Sequence, residues 1–331
     1  MSFFFKIISL LFLFEFLILN SVVATTSNDD FETWIFSYKK FALKKGISKK
    51  TIDIVFKDAR FLEKVIQYDR KQPEFLEDTI TYVNKRATIK RAKTAIKLLN
   101  KNRHLFDKVE NEFVVDKEIL LALWGIETNF GKHVGKMDII SSLATLSYDQ
   151  RRRDYFSSEL LTLLKLVDAS LIDPNTLYGS WAGAYGNFQF MPSTISRYAI
   201  DYDNNNKIEL KESLEDSLAS AANYISKIGW KKSQPCFYRV KLTKKIKEKY
   251  INTSARKISN KLKVTKWKKK GIVNFDGSEL QSKLKAALIL PDEKPGTPIF
   301  LVFNNYEKIL KWNRSLRFGI SVCTLAAMIK S

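Results

Sequence analysis

V-V-D-K-E-I-L-L-A-L-W-G-I-E-T-N-F-G, Val114 to Gly131, has an N-cap candidate in Asp116 and then an almost unbroken apolar run. Ile119, Leu120, Leu121, Leu123, Trp124 and Ile126 leave no polar face. A helix apolar all round is a buried helix. At its far end, before Gly131 closes it, stands one carboxylate, Glu127. There it faces the negative end of the helix dipole, and the apolar run before it implies partial desolvation. Both effects raise a carboxyl pKa, which a general acid needs near neutral pH. A Glu that merely reaches solvent where the helix ends satisfies the same residues, so this segment alone leaves both readings open.

Upstream, Phe31, Trp34, Ile35, Tyr38 and Phe41 recur at helical spacing from Asp30 to Lys45, and Gly46 ends the run. Ser48 caps a second helix carrying Ile52, Val55 and Phe56. D-R-K-Q-P-E-F, Asp69 to Phe75, is broken by Pro73. The spacing then predicts one helix over Thr79 to Lys101, with Ile89, Ala92, Ile96 and Leu99 on its apolar side. These aromatic and aliphatic stripes are expected in the core.

Downstream, Arg151, Arg152 and Arg153 precede a helix whose buried face is Phe156, Leu160, Leu164 and Val167. Cations oppose the dipole at a helix start, so at least one arginine is expected to meet an anion, from protein or ligand. Gly179 to Ser193, G-S-W-A-G-A-Y-G-N-F-Q-F-M-P-S, suits a tight loop where backbone approaches a ligand. Asp201 to Glu212 reads as a calcium loop: Asp201, Asp203 and Asn205 as ligands, Lys207 through its carbonyl, Glu212 as the closing carboxylate. Asn206 replaces the usual glycine and tolerates a left-handed conformation. Ser213 with Asp216 resembles a capping box opening a helix with Leu214, Leu218, Ala222 and Ile225 inward.

The chain has 331 residues, 45% hydrophobic and 13% aromatic, enough for a real core and unlike a disordered chain. Residues 1–24, with Lys6, an apolar stretch from Ile7 to Leu19 and small residues near Ala24, read as a secretory signal peptide. An uncleaved inner-membrane anchor is the rival; the short core and Glu15 favour cleavage. The expected location is therefore the periplasm. Removing this segment takes Lys6 and Glu15 together and leaves the net charge at +21.

Two cysteines, Cys236 and Cys323, and two histidines nearly exclude a structural zinc site and weaken Ser-His or Cys-His chemistry. The cysteines fit one disulfide or two buried thiols equally. The charge calls for an anionic partner surface. For an exported protein, cell-wall peptidoglycan and anionic phospholipid fit better than nucleic acid, which is not expected. From Lys231 to Lys270 sixteen Lys or Arg face a single acid, Glu248. F-Y-R-V-K-L and Ile299 to Phe303 suggest strands, with turns at Asp276-Gly277 and Pro295-Gly296. The expected chain is α+β and predominantly α-helical: a helical body over 30–230, a basic β-containing insert over 231–298, and a return strand and helix over 299–331.

In order, D-R-K-Q-P-E-F, G-I-E-T-N-F-G at Gly125, S-S-L-A-T-L-S at Ser141, R-R-R-D-Y-F at Arg151, A-G-A-Y-G-N-F-Q-F-M-P-S at Ala182, A-N-Y-I-S-K-I-G-W at Ala222 and W-N-R-S at Trp312 resemble the membrane-bound lytic murein transglycosylase B family. The resemblance runs from about residue 30 to the C-terminus. It implies a lysozyme-like catalytic core within residues 25–331, and cleavage of the β-1,4 bond from N-acetylmuramic acid to N-acetylglucosamine without water. By resemblance Glu127 protonates the leaving oxygen, then takes the proton of the muramic C6 hydroxyl as a 1,6-anhydro ring closes. A hydrolase of the usual kind needs two flanking carboxylates, and Asp138 and Asp149 are the residues that could fold close.

The family's substrate contacts carry over onto Ser180, Gln189, Phe190, Tyr224 and Asn313, and its arginine pair onto Arg151 and Arg152. Trp312 stands where a tyrosine is usual, keeping the stacking face and losing the phenolic hydroxyl. Tyr185 replaces a usual methionine. The implied partner is the glycan strand, met by a monomer, with an anionic membrane or cell-wall protein complexes as further associates. No cofactor is needed for the chemistry, and calcium in the 201–212 loop would be structural. A hydrolytic muramidase and a non-catalytic wall-binding protein are the competing functions.

Overall fold

The computed structural model describes residues 28–71 and 77–331. The signal-peptide reading and the Pro73 break therefore lie outside the described residues. Helices α1 (Asn28–Lys44), α2 (Lys49–Val55), α3 (Glu63–Arg70), α4 (Thr79–Arg86) and α5 (Ile89–Lys101) come first. Next are α6 (Arg103–Phe113), α7 (Lys117–Thr128), β1 (Met137–Asp138), α8 (Ile139–Tyr148), α9 (Arg153–Asp168) and β2 (Tyr178–Gly179). Then α10 (Pro192–Tyr198) and α11 (Leu214–Lys227) complete the helical body.

The apolar run around which the sequence is built is α7, and every residue from Ile119 to Gly125 is buried. It packs against α5, α6, α11 and α14 (Leu316–Lys330), so no side of it is left for solvent. Each fully buried leucine contributes roughly 1.5–3 kcal/mol. Asp116 does precede the helix, but its side chain makes no capping bond. Its carboxylate instead accepts from the Trp230 indole at 2.7 Å and the Ser233 amide, tying the start of α7 to the segment after α11.

One expected helix is two. Thr79 to Lys101 breaks at Ala87 because Thr88 caps α5, its hydroxyl accepting from the Arg91 amide. A threonine hydroxyl that bonds the backbone at a helix start competes with continuing the previous helix. After the break Ala92, Ala95 and Leu99 face the core, whereas Ile89 and Ile96 are exposed.

The insert contains β3 (Phe237–Leu242), β4 (Ile251–Asn252), β5 (Leu262–Lys263), α12 (Val264–Lys269), β6 (Ile272–Asn274) and β7 (Lys285–Ile289). β8 (Ile299–Val302) and α13 (Asn304–Trp312) lead to α14. Helix α12 was not expected from the lysine-rich run. It forms because Trp267 fills the centre of a small core, with its indole donating to the Ala286 carbonyl at 2.8 Å. The sheet order is β4-β7-β8-β3-β6, with β5 on β7. Strand alternation then sends Ala287, Ile289, Phe300 and Val302 to the main core and Ala286, Leu288 and Leu301 to the small one.

Cys236 and Cys323 form a disulfide between the start of the insert and α14. It closes a loop of 87 residues, for which the chain-entropy argument gives about 4–5 kcal/mol. Replacing both cysteines by serine is expected to lower stability by about that amount in a denaturant titration. An unchanged midpoint would show that the unfolded chain is already held together elsewhere.

Candidate active site

Glu127 occupies the last turn of α7, half-buried, as the sequence led us to expect. The helix ends in three successive left-handed residues, Asn129 (φ 50°), Phe130 (φ 61°) and Gly131 (φ 79°). Two of these are not glycine, a strained arrangement that surrounding contacts must enforce. Asn187 supplies them. Its side chain accepts from the Trp124 indole at 3.1 Å and donates to the Lys211 carbonyl and the Ser217 hydroxyl. The Thr128 hydroxyl donates to the Asn187 carbonyl at 2.7 Å and accepts from the Gly131 amide. Asn187 thus clamps the end of α7 to the glycine-rich loop.

Packing within the protein already demands two glycines of that loop. A Cβ on Gly183 would strike the Leu143 side chain, and one on Gly186 the Leu210 carbonyl, and both have positive φ. The loop is tight because backbone meets protein, and this packing sets its shape. Tyr185 is buried within it and shares a hydrogen bond of 3.0 Å with Thr176.

Trp312, at the end of α13, donates its indole N–H to Glu127 Oε1 at 2.9 Å. The missing phenolic hydroxyl is thus replaced by a different donor, one that can never accept. Trp312 also stacks on Tyr224 at 5.0 Å, and Tyr224 on Tyr198 at 4.4 Å. Phe190 meets Trp312 edge-on at 5.2 Å and is itself buried, bracing the stack from behind. The Tyr224 hydroxyl donates to the Lys311 carbonyl at 3.0 Å. Burial pushes its pKa up to about 12, so it stays a neutral donor. Asn313 caps α13 beside Trp312. Gln189, in a left-handed conformation, donates its amide to Val134 and Gly186. The Ser180 hydroxyl accepts from the Ala182 and Ala184 amides and shapes the same loop.

Of the acids that could have joined Glu127, Asp138 caps α8 and Asp149 pairs with Arg70 at 2.8 Å. The anion expected near the arginines is a residue of the chain, Asp69. Its carboxylate is buried and takes Arg70, Arg151 and Arg152 together. Burial pushes its pKa up, but hydrogen bonds and charge from Arg151 and Arg152 outweigh this and hold it below the usual carboxylate range. The arginines remain partly exposed beside a groove of about 490 Å³, and Arg152 Nε is buried without an acceptor among the described residues.

Asp69→Asn is expected to cost about 2 kcal/mol at pH 7, the worth of a charged hydrogen bond. Because the folded pKa of Asp69 is depressed, its contribution is present above the unfolded value of about 4 and lost as pH falls through the folded value. Thermal melts of the two proteins should therefore converge at strongly acidic pH. A constant gap would show that charge is not the cause.

In the 201–212 loop, Asp201 and Asp203 do converge, but the third carboxylate is Asp216, the three lying within 4.8 Å of one another. Glu212 is exposed and pairs with Lys211, because Ser213 begins α11 and turns the next inward carboxylate to Asp216. Asp216 was expected only as a capping partner. It is fully buried and accepts from the Tyr202, Asp203 and Glu209 amides. Burial, with the charge of Asp203 beside it, pushes its pKa up despite those bonds. Asn205 sits at the loop edge, its side-chain oxygen accepting from the Lys207 amide, and Asn206 is left-handed at φ 67°. Converging carboxylates with one buried are a donor set that suits a hard divalent cation.

A family model described as Transglycosylase SLT domain matches residues 30–327. Membrane-bound lytic murein transglycosylase B of Escherichia coli (strain K12) is 31% identical over 203 residues, which cover 58% of this chain and 56% of that protein. The match thus spans little more than half the length of that relative. The crystal structure of SltB3 from Pseudomonas aeruginosa in complex with NAG-anhNAM-pentapeptide superposes with a TM-score of 0.84 at 32% identity, covering 91% of this chain and 80% of that one. Escherichia coli lytic transglycosylase Slt35 in complex with calcium gives 0.74 at 26% identity, covering 92% and 93%.

Proposed function

Since the chain belongs to the transglycosylase SLT family over residues 30–327, we propose that it is a peptidoglycan lytic transglycosylase. It cleaves the β-1,4 bond from N-acetylmuramic acid to N-acetylglucosamine without water and leaves 1,6-anhydro ends. The observation that carries this reading is a carboxylate at the clamped end of a buried helix, held on one oxygen by an indole donor. The transferable proton is carried by the Glu127 carboxyl group. It passes to the glycosidic oxygen as the C1–O bond breaks. The C6 hydroxyl oxygen then bonds C1, its proton returns to Glu127, and the carboxyl ends as it began. One residue serves as acid and then base, so no second carboxylate is required. The relative crystallised with NAG-anhNAM-pentapeptide supports an anhydro product.

Trp312 and Tyr224 would form the stacking wall for a sugar ring, backed by the buried Phe190, with Gln189, Ser180 and Asn313 along the same groove. Arg151 and Arg152 would hold a lactyl or stem-peptide carboxylate through donors that Asp69 leaves available. Residues 25–331 would act as one catalytic unit in the periplasm. Mass analysis of fragments released from purified sacculi tests the reaction.

The 201–212 loop, closed by Asp216, would hold calcium as a structural ion, in line with the relative solved with calcium. Calcium is expected to raise the melting temperature, and Asp201→Ala or Asp216→Ala to abolish the rise. A wild type that ignores calcium would sink the site.

A further inference from the structure

The sixteen basic residues of 231–270 are not spread evenly, because the fold lines several of them along one surface of the insert. The Arg239 guanidinium lies 3.8 Å from the centre of the Phe275 ring. Lys241 reaches over Gly277, and Lys244 lies against Gly271, which neighbours Lys270. Lys270 and Lys249 sit 4.3 and 5.5 Å from the Tyr250 ring centre. A hydrogen bond from Lys270, with the charges of Lys270, Lys249 and Lys247, pushes the Tyr250 phenol below its ordinary pKa. Elsewhere in the insert Lys261 pairs with Glu307 and Lys268 with Glu279. Arg239, Lys241, Lys244, Lys245, Lys249 and Lys270 have no ion pair among the described residues. Glu248 and Glu293 line the same groove, and the Asp276 carboxyl is held down mainly by hydrogen bonds from Ser278, with a smaller effect of Lys241.

Apolar groups stand exposed among these cations. Phe275 is 53% exposed, Ile80 50% and Leu242 38%. They line a groove of about 850 Å³ that also holds Arg239, Lys241 and Lys245. The groove continues into a second, of about 680 Å³, between α4 and the end of α14. Arg239 lies over one face of the Phe275 ring, and the rest of the ring stands exposed with Leu242 and Ile80, an aliphatic and aromatic set suited to an acyl boundary.

We propose that this face docks the protein on a bilayer of anionic phospholipid, the lysines meeting headgroup phosphates and Phe275, Leu242 and Ile80 entering the acyl boundary. Basic residues and apolar side chains act there as two additive signals. None of these residues surrounds Glu127, so the inference stands apart from the chemistry.

The test is flotation of the full chain with vesicles of phosphatidylcholine alone or with added phosphatidylglycerol. Residues 1–24 are common to every protein compared, so differences report on the insert. The wild type should prefer the anionic vesicles, and salt should weaken that binding steeply. Lys241→Gln, Lys244→Gln and Lys245→Gln together should weaken it about a hundredfold, at about fivefold for each charge. Phe275→Ser should remove the part that survives high salt. Cleavage of soluble glycan fragments should be unchanged in these variants. Equal binding to both vesicle types, salt-independent binding, or a triple variant that binds like wild type overturns the proposal. So does a triple variant that loses sacculus binding but keeps vesicle binding, which would assign the face to the wall polymer. If the triple variant fails to melt cooperatively, the salt dependence of the wild type decides.

Discussion

Glu127→Gln is expected to lower the rate of peptidoglycan cleavage by about 10²–10⁴-fold, the usual worth of general acid–base catalysis. The substitution removes the transferable proton. A glutamine carbonyl can still accept from the Trp312 indole, which Glu127 accepts at 2.9 Å, and the clamp made by Asn187 does not involve the carboxylate. The melting temperature should therefore hold and sacculus binding should persist. Loss of binding with loss of rate would point to a structural role. Equal solubilisation by variant and wild type would return the protein to the class of non-catalytic wall binders.

Trp312→Phe is the second large effect. Phenylalanine keeps a ring against Tyr224, where Trp312 stacks at 5.0 Å, but has no N–H for Glu127. A charged hydrogen bond is worth about 1.5–3 kcal/mol, so the maximal rate should fall about ten- to hundredfold. The indole donor can only stabilise the carboxylate that forms as the proton leaves. Its loss should therefore appear mainly in kcat, and the alkaline limb of the pH–rate profile, where the general acid loses its proton, should move to higher pH. If the substitution instead raises KM alone, Trp312 is a stacking surface and does not hold Glu127.

The helices that surround this site were legible because their signals are local. The apolar run from Ile119 to Ile126 could only be buried, and it is the centre of the core. Ser213 caps α11 as its position suggested. F-Y-R-V-K-L became β3. Misreadings came where a side chain had two possible partners. Thr88 lies inside the single helix expected over Thr79 to Lys101 and is the cap that divides it. Asp116 looked like a cap and holds Trp230. Asp216 was read as part of a capping box, and only the turn into α11 brings it to Asp201 and Asp203.

Long-range pairing was the harder class. Nothing local tells Asp69 that three arginines will converge on it. An acid immediately before an arginine, in a motif collinear with the arginine run, was the available hint. The Trp312 bond to Glu127 spans 185 positions. The tyrosine-to-tryptophan change marked the place, but sequence could name only what the phenol would lose. The lysine run hid α12 because its surface positions dominate its composition, while Val264 and Trp267 fix it in the small core.

The reaction itself turns on the fate of one water. Mass analysis of fragments released from purified sacculis by the wild-type protein reads this directly. Chains ending in 1,6-anhydro-muramic acid, one water lighter than reducing ends, are the predicted product, with none released by Glu127→Gln. Reducing ends from the wild type would contradict the account and make the protein a hydrolase.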